Sequence, residues 1–332
     1  MEERARFPEV AAKAGHYESF YVKACEPGGG RGVWIRHTVH KRPGAEPSAS
    51  IWFCFFDRSA SGPRATKVTV PASQLEVPAG DWIRVGDAEI GPGRAEGSVD
   101  TDALSAAWSL TFSGNAEPCK YLPADWLYKA PLPKTKFLAP YPDARFEGRL
   151  EIDDETIELT GWLGMIGHNW GTEHAERWVW LEGTGFPDAP NTYFDAGAAR
   201  VKLGSRTSPW IPSGMLVLDG EPHRLGGLGA IRSVHIDEQP TVCSFQLPGN
   251  DIMVHGRVTA PEKDFVGWVY ADPKGPEHHT LNCSVADLEL TVERPGLPAR
   301  HLNLEAGAAY EFGMRPEPQQ VHGIPIQPYP DG

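Results

Sequence analysis

The densest run of reactive side chains is Gly164-Met165-Ile166-Gly167-His168-Asn169-Trp170-Gly171-Thr172-Glu173-His174, continued by Arg177-Trp178-Val179-Trp180-Leu181-Glu182. It holds three tryptophans, two histidines and the acids Glu173, Glu176 and Glu182. Trp178 and Trp180 are two apart, and a strand turns such residues to one face. The spacing therefore predicts a polar, glycine-flanked turn leading into a strand that presents a wall of indole. Two tryptophans so placed suit either a barrel core or a pocket lining. Their neighbours favour the pocket: indole faces stabilise cations and apolar polyenes, and His168, Glu173 and Glu182 lie near enough in sequence to supply or accept a proton. In a dry pocket a carboxylic acid keeps its proton to higher pH, as protonation of an alkene requires. The expected cavity is apolar, roughly 300 to 1,000 Å³, and walled by Trp178 or Trp180 together with at least one of these proton donors.

Other candidates are weaker. Trp34, Arg36, Thr38 and His40 share one face of a strand over 33–40. Were that face turned inward, Arg36 would be a buried cation needing an internal partner such as Glu18 or Asp57, or a contact to a ligand. Tyr193 and Asp195 are positioned to face the same cleft from a second unit. His168, Glu173, His174 and Glu176 match no ordinary metal-ligand spacing, and His278-His279 follows Pro276 in a loop-like, exposed stretch, so neither metal nor cofactor is expected. The chain has no G-x-x-x-x-G-K-[ST], G-x-S-x-G or H-E-x-x-H sequence, which leaves nucleotide-driven and serine-hydrolase chemistry unsupported.

The elements that position these residues read as strands. In Ala106-Ala107-Trp108-Ser109-Leu110-Thr111-Phe112 the apolar residues alternate with small and polar ones, and similar runs occur at 20–25, 33–40, 51–56, 66–70, 146–152, 156–162, 252–259, 265–271 and 287–293. Asp219-Gly220 and Gly86-Asp87 read as two-residue hairpin turns. Gly and Pro supply 36 and 31 residues, which interrupts helices and suits antiparallel turns. The expected class is all-β, in two barrel-like or sandwich units. Residues 186–191, with two prolines, make the preferred linker over the proline-rich 131–142 stretch, giving units at 1–188 and 189–332. The Pro- and Gln-rich tail from Pro316 onward is expected to drape or fray.

A length of 332 residues fits two domains, and no apolar run approaches the ~18 residues of a membrane span. With 31 basic against 44 acidic residues, the net charge of −13 repels nucleic-acid phosphate and anionic lipid. The charged start, Met1-Glu2-Glu3-Arg4, lacks the apolar core of a signal peptide, and five scattered cysteines without a C-x-x-C pair fit reduced thiols in a cytoplasm.

Gly167-His168-Asn169-Trp170-Gly171 followed by Trp178-Val179-Trp180 resembles the signature of tocopherol cyclase, the carotenoid hydratase (hydroxyneurosporene synthase) and AttH-like proteins. Cofactor-free Diels–Alderases are also built on that double-lipocalin plan. Weaker likeness occurs at Glu18-Ser19-Phe20-Tyr21, Trp34-Ile35-Arg36-His37-Thr38, Ala107-Trp108-Ser109-Leu110 and 140–148, and it fades toward the C-terminus. The resemblance implies two lipocalin-like units, with the His-Asn-Trp-Gly segment late in the first. It also implies a cofactor-independent cyclase, hydratase or cycloaddition catalyst for a hydrophobic isoprenoid or polyketide. In that reading His168, Glu173 or Glu182 acts as the acid, Asn169 orients a polar group, and Trp170, Trp178 and Trp180 shape the pocket. The chain departs from the carotenoid hydratase pattern at Gly167, where that pattern has an acid. A lipocalin-type carrier would present nearly the same pocket, and a scaffold would use the segment only to lock two β units together.

Overall fold

Period-two alternation becomes strand throughout, and the computed structural model, which describes residues 3–316 and 323–326, contains no α-helix among them. The runs anticipated from alternation coincide with strands, save that Ile252 and Phe265 stand one residue before theirs. A 12-stranded antiparallel sheet has Arg64–Pro71, Ser48–Asp57, Arg31–Lys41, His16–Cys25, Glu155–Gly171, Thr135–Ile152, Ser105–Ser113 and Arg94–Asp100 as successive neighbours, followed by three short strands back to Leu75–Glu76, and Cys119–Lys120 pairs with Thr135–Ile152 as the twelfth. A 10-stranded sheet runs Glu221–Gly226, Ile211–Leu218, Tyr193–Arg200, Arg177–Thr184, Arg300–Met314, Glu277–Glu293, Met253–Thr259, Val242–Pro248 and His235–Gln239, with Val266–Ala271 as the tenth strand, paired to Glu277–Glu293. A bridge between Leu225, in one edge strand, and Gly249, just after Val242–Pro248, curls the two ends of this second sheet toward each other. Asp219 and Gly220, with φ of 53° and 88°, form the mirror-image turn that matches strand twist, and Gly86-Asp87 closes Ile83–Val85 onto Ala88–Gly91. No described helix is long and apolar enough to cross a membrane.

The chain changes sheet between Gly171 and Arg177, earlier than the 186–191 segment at which the sequence suggested a division. The Trp178–Trp180 strand therefore belongs to the second sheet. Gly164–Gly171 is no turn but the end of the long strand Glu155–Gly171. Its glycines serve close approach rather than chain reversal: a Cβ at Gly164 would meet the Lys23 carbonyl, and one at Gly167 would sit inside the Tyr21 ring. Of the tail, residues 317–322 and 327–332 lie outside the described residues; Ile324 is buried, and Ile326 bridges Gly267.

Burial patterns of His16–Cys25, Arg31–Lys41 and Ser48–Asp57 are nearly continuous, so these strands are covered on both faces. Residues directly opposite in an antiparallel pair share a face. Pairing of Phe20 with His168 and His37, and of Val22 with Ile166 and Ile35, puts these side chains in the first unit's core, beside Phe53 and Phe146. The alternate set, with Tyr21 opposite Gly167 and Arg36, Lys23 opposite Met165 and Trp34, and Arg36 opposite Trp52, faces the second unit. Trp34, Trp52, Cys54 and Phe56 pack into one continuous apolar cluster with Trp268, Cys283 and Val285.

Candidate active site between the two units

The register of the second sheet supplies the opposite wall. Along Arg177–Thr184, Val179 and Leu181 enter the second core, which turns Trp178, Trp180, Glu182 and Thr184 toward the first unit. Glu182 pairs with Asp195, Thr184 with Tyr193 and Trp180 with Glu311, so all of these share the inter-unit face. From the first unit come Tyr21, Lys23, Arg36 and Asn169.

Asp195 lies at the base of this layer, 3% exposed. Its Oδ1 accepts from Trp180 Nε1 at 2.9 Å, and its Oδ2 accepts from the Tyr121 hydroxyl. Burial pushes its carboxyl up to about 7 against these two donors, and neighbouring Glu182 adds to the rise. Around it Met165, Cys119 and Tyr121 are buried, while Tyr21, Phe137, Trp180 and Met215 are only partly covered. The result is an apolar wall with one acid at its foot. Tyr21 meets Trp180 edge-on at 5.5 Å; burial, with Asp195 and Glu311 nearby, holds its phenol well above the ordinary value, so it stays protonated.

Glu182 is an ion-pair partner rather than a free acid. Lys23 Nζ is 2.6 Å from its Oε2, both side chains being buried, and Lys23 also donates to the Gly307 carbonyl at 2.5 Å. Thr184 Oγ1 donates to Glu182 Oε1 at 2.7 Å. Trp178 Nε1 and the Tyr270 hydroxyl donate to Glu311 at 2.9 and 3.0 Å. Asn169 is half-buried and accepts from Ser19 Oγ at 2.7 Å. Tyr193, opposite Thr184, is buried.

Arg36 is buried, but neither Glu18 nor Asp57 is its counterpart. Its guanidinium lies 4.1 Å from the centre of the Tyr270 ring, 5.4 Å from Trp52 and 5.8 Å from Trp34. Aromatic faces from both units thus take the place of a carboxylate.

His168 and Trp170 point the other way, because residues one step from Gly167, Asn169 and Gly171 project from the opposite face. His168 is stacked on Phe20 at 3.8 Å and lies 4.6 Å from Trp170. Its Nε2 is 2.8 Å from Glu18 and its Nδ1 3.1 Å from Glu3. Glu18 also accepts from His16 and from the backbone N–H groups of Arg6 and Phe7, pinning the N-terminal segment to the barrel. Burial alone would push the Glu18 carboxyl up, but the hydrogen bonds from His16 and His168 prevail and hold it down at about 2. Glu173 sits in the connector, paired with Lys134 at the surface. The three acid candidates from the sequence are therefore separated, and Glu182 alone of them reaches the layer.

Beyond the connector, His278 is fully buried rather than exposed, because it opens the long strand Glu277–Glu293 opposite Tyr270. His174 is stacked on Tyr17 at 4.0 Å and 5.6 Å from the His278 ring, with its Nδ1 2.8 Å from Asp272. Sequence reasoning passed over Tyr21, Tyr121, Lys23, Asp272 and Glu311, since none stands near the tryptophan run in the chain. Two open surface clefts, of about 560 and 370 Å³, lie elsewhere, at Gln74, Arg84 and Glu89 and at Asn250, Met253 and Arg294, and neither is walled by Trp178 or Trp180 as the sequence suggested a pocket would be.

No protein-family model matches the chain. The uncharacterized proteins MT0513 and Rv0493c of Mycobacterium tuberculosis are each 24% identical to it over 314 residues, or 94% of this chain and 90% of theirs. Among solved structures, an AttH-type protein of Nitrosomonas europaea is similar with a TM-score of 0.56 at 13% identity, over 94% of this chain and 97% of its own. Kievitone hydratase of Nectria haematococca gives 0.51 at 9% identity, over 91% and 89%. CghA, also solved with Sch210972, gives 0.56 at 11% identity over 96% of both chains. The fold implied by the His-Asn-Trp-Gly resemblance is thus the fold of this chain, over 91% to 96% of its length in these comparisons.

Proposed function

We propose, on the premise that this chain carries the two-unit β fold of the AttH-type protein and of kievitone hydratase, that it is a general-acid catalyst for a lipophilic small molecule. The substrate class is an isoprenoid or polyketide, and the reaction a hydration, cyclisation or cycloaddition. Asp195 is the observation that carries this reading. A carboxyl held near 7 is about half protonated at neutral pH, where an ordinary aspartic acid retains almost no proton. In the proposed step its proton passes to an alkene carbon or carbonyl oxygen of a substrate lying against Tyr21, Phe137, Trp180 and Met215. The indole and phenol faces stabilise the positive charge that develops. The Asp195 carboxylate then recovers a proton from water or from a hydroxyl that attacks the cation, or from a neighbouring C–H. The Trp180 and Tyr121 donors keep it aimed throughout.

The test begins with mass spectrometry of lipophilic material extracted from the purified protein. Asp195→Asn is then compared with wild type on the compound found. General-acid catalysis predicts turnover lower by roughly 10²- to 10⁴-fold with retained fold and affinity, and a wild-type rate that falls as pH rises above 7. A compound bound equally by both proteins and left unchanged by wild type would mark a carrier and end the catalytic reading.

A further inference from the structure

We propose that His174, Asp272 and His278 form a binding site for a divalent cation of the zinc class, at the end of the inter-unit layer. The three come from separate places: the connector between the sheets, the residue after the strand Val266–Ala271, and the start of the strand Glu277–Glu293. One ligand atom from each lies within 4.8 Å of those of the other two.

The unpaired atoms of this cluster point to a ligand. His174 Nε2, Asp272 Oδ2 and both ring nitrogens of His278 are buried without a hydrogen-bond partner. A buried polar group without a partner has lost its water and gained nothing in return, so such a concentration in one spot is unfavourable unless something occupies it. Asp272 already accepts from the backbone N–H and Nδ1 of His174, at 2.7 and 2.8 Å. A cation taking the place of the Nδ1 proton would be shared by that nitrogen and the Asp272 carboxylate, with a ring nitrogen of His278 as a further donor. Tyr17, stacked on His174, and Trp178 and Tyr270, 5.7 and 5.8 Å from it, hold the imidazole between rings.

Two imidazoles and one carboxylate are the donor set of open zinc sites, which keep a fourth position for water or substrate. Four-coordinate ligand atoms stand roughly 3.3 Å apart when zinc–nitrogen distances are near 2.0 to 2.1 Å. Side-chain rotation of about 1.5 Å would therefore close the present spacing onto an ion. Nearby, Arg315 and Glu176 neutralise each other at 2.6 Å, and the carboxylate beside the two imidazoles is that of Asp272. A bound ion would tie the connector to the second barrel and place a Lewis acid beside Trp178.

The test uses the full chain after treatment with a strong chelator and removal of the chelator. Titration with Co²⁺ is expected to give the visible absorption of a four-coordinate nitrogen and oxygen site saturating at one ion per chain, with Zn²⁺ displacing it and raising the melting temperature. His278→Gln and Asp272→Asn are each expected to weaken binding by roughly 100-fold or more, whereas His301→Gln, on the far exposed end of its strand, leaves it unchanged. Absence of a saturable Co²⁺ spectrum in wild type that is folded by circular dichroism overturns the proposal. So does equal binding by wild type and folded His278→Gln. Should either variant fail to fold, the wild-type titration decides alone.

Discussion

Asp195 and Glu18 are both buried carboxyls, and their surroundings drive them in opposite directions. Asp195 has few donors for the burial it suffers and rises from an ordinary 3.8 to about 7. Its folded value being the higher, stability is full below the ordinary value and is lost as pH climbs from about 4 through 7, by up to about 4 kcal/mol. Asp195→Asn removes that loss while preserving an acceptor for Trp180. The variant should gain on wild type between pH 4 and pH 8, as read from urea midpoints; parallel pH curves would sink the assignment. Glu18 falls from 4.5 to about 2 because two histidines donate to it. Its contribution is present above 4.5 and disappears as pH drops through about 2. Glu18→Gln should therefore cost on the order of 3 kcal/mol at neutral pH and converge with wild type near pH 2, as denaturation at the two pH values would show. Neither direction is visible in a sequence, where each residue is simply an acid beside aromatic neighbours.

Among the elements, His16–Cys25 does the most to join the two units, for its two faces serve different purposes. Phe20 and Val22 enter one core, while Tyr21 and Lys23 face the second barrel. Glycine at 167 exists for this strand: the Tyr21 ring lies flat over it. Gly167→Ala should displace that ring and cost roughly 1 to 3 kcal/mol by thermal denaturation, with a smaller increment when Tyr21→Leu is already present. Full additivity of the two would refute the contact. Lys23 and Glu182 form a buried pair across the interface. Lys23→Met, which strands a buried carboxylate, should cost about 3 to 5 kcal/mol, and adding Glu182→Leu should restore most of it. A double variant as unstable as the single would mean the charges have another role. The strands themselves were legible from alternation. The Gly164–Gly171 segment was not, because glycine is used both for turns and for making room, and the letter is the same in either use.

At the scale of the whole molecule the second barrel completes the first. Trp34, Trp52, Cys54 and Phe56 are covered by residues that follow the change of sheet at 172–176. A fragment ending at Gly171 would expose two indoles and two further apolar side chains on one face, so it should fail to give native-like dispersion by NMR and should aggregate. The full chain should show a single cooperative unfolding transition by circular dichroism and tryptophan fluorescence alike. A soluble, folded fragment would show that the units are independent. The sequence by itself determined the all-β class, the doubling into two units and the neighbourhood of the tryptophan strand, because alternation, turn residues and short-range spacing are local properties. Tertiary structure decided which residues meet. Period two places His168 and Asn169 on opposite faces but does not say which face looks at the second unit when both are buried. Asp272 is 98 residues from the histidine it holds, and Glu182 finds Asp195 only through strand register. The acid of the proposed step stands apart by how completely the fold strips it of water, and desolvation belongs to the packed molecule rather than to the order of its residues.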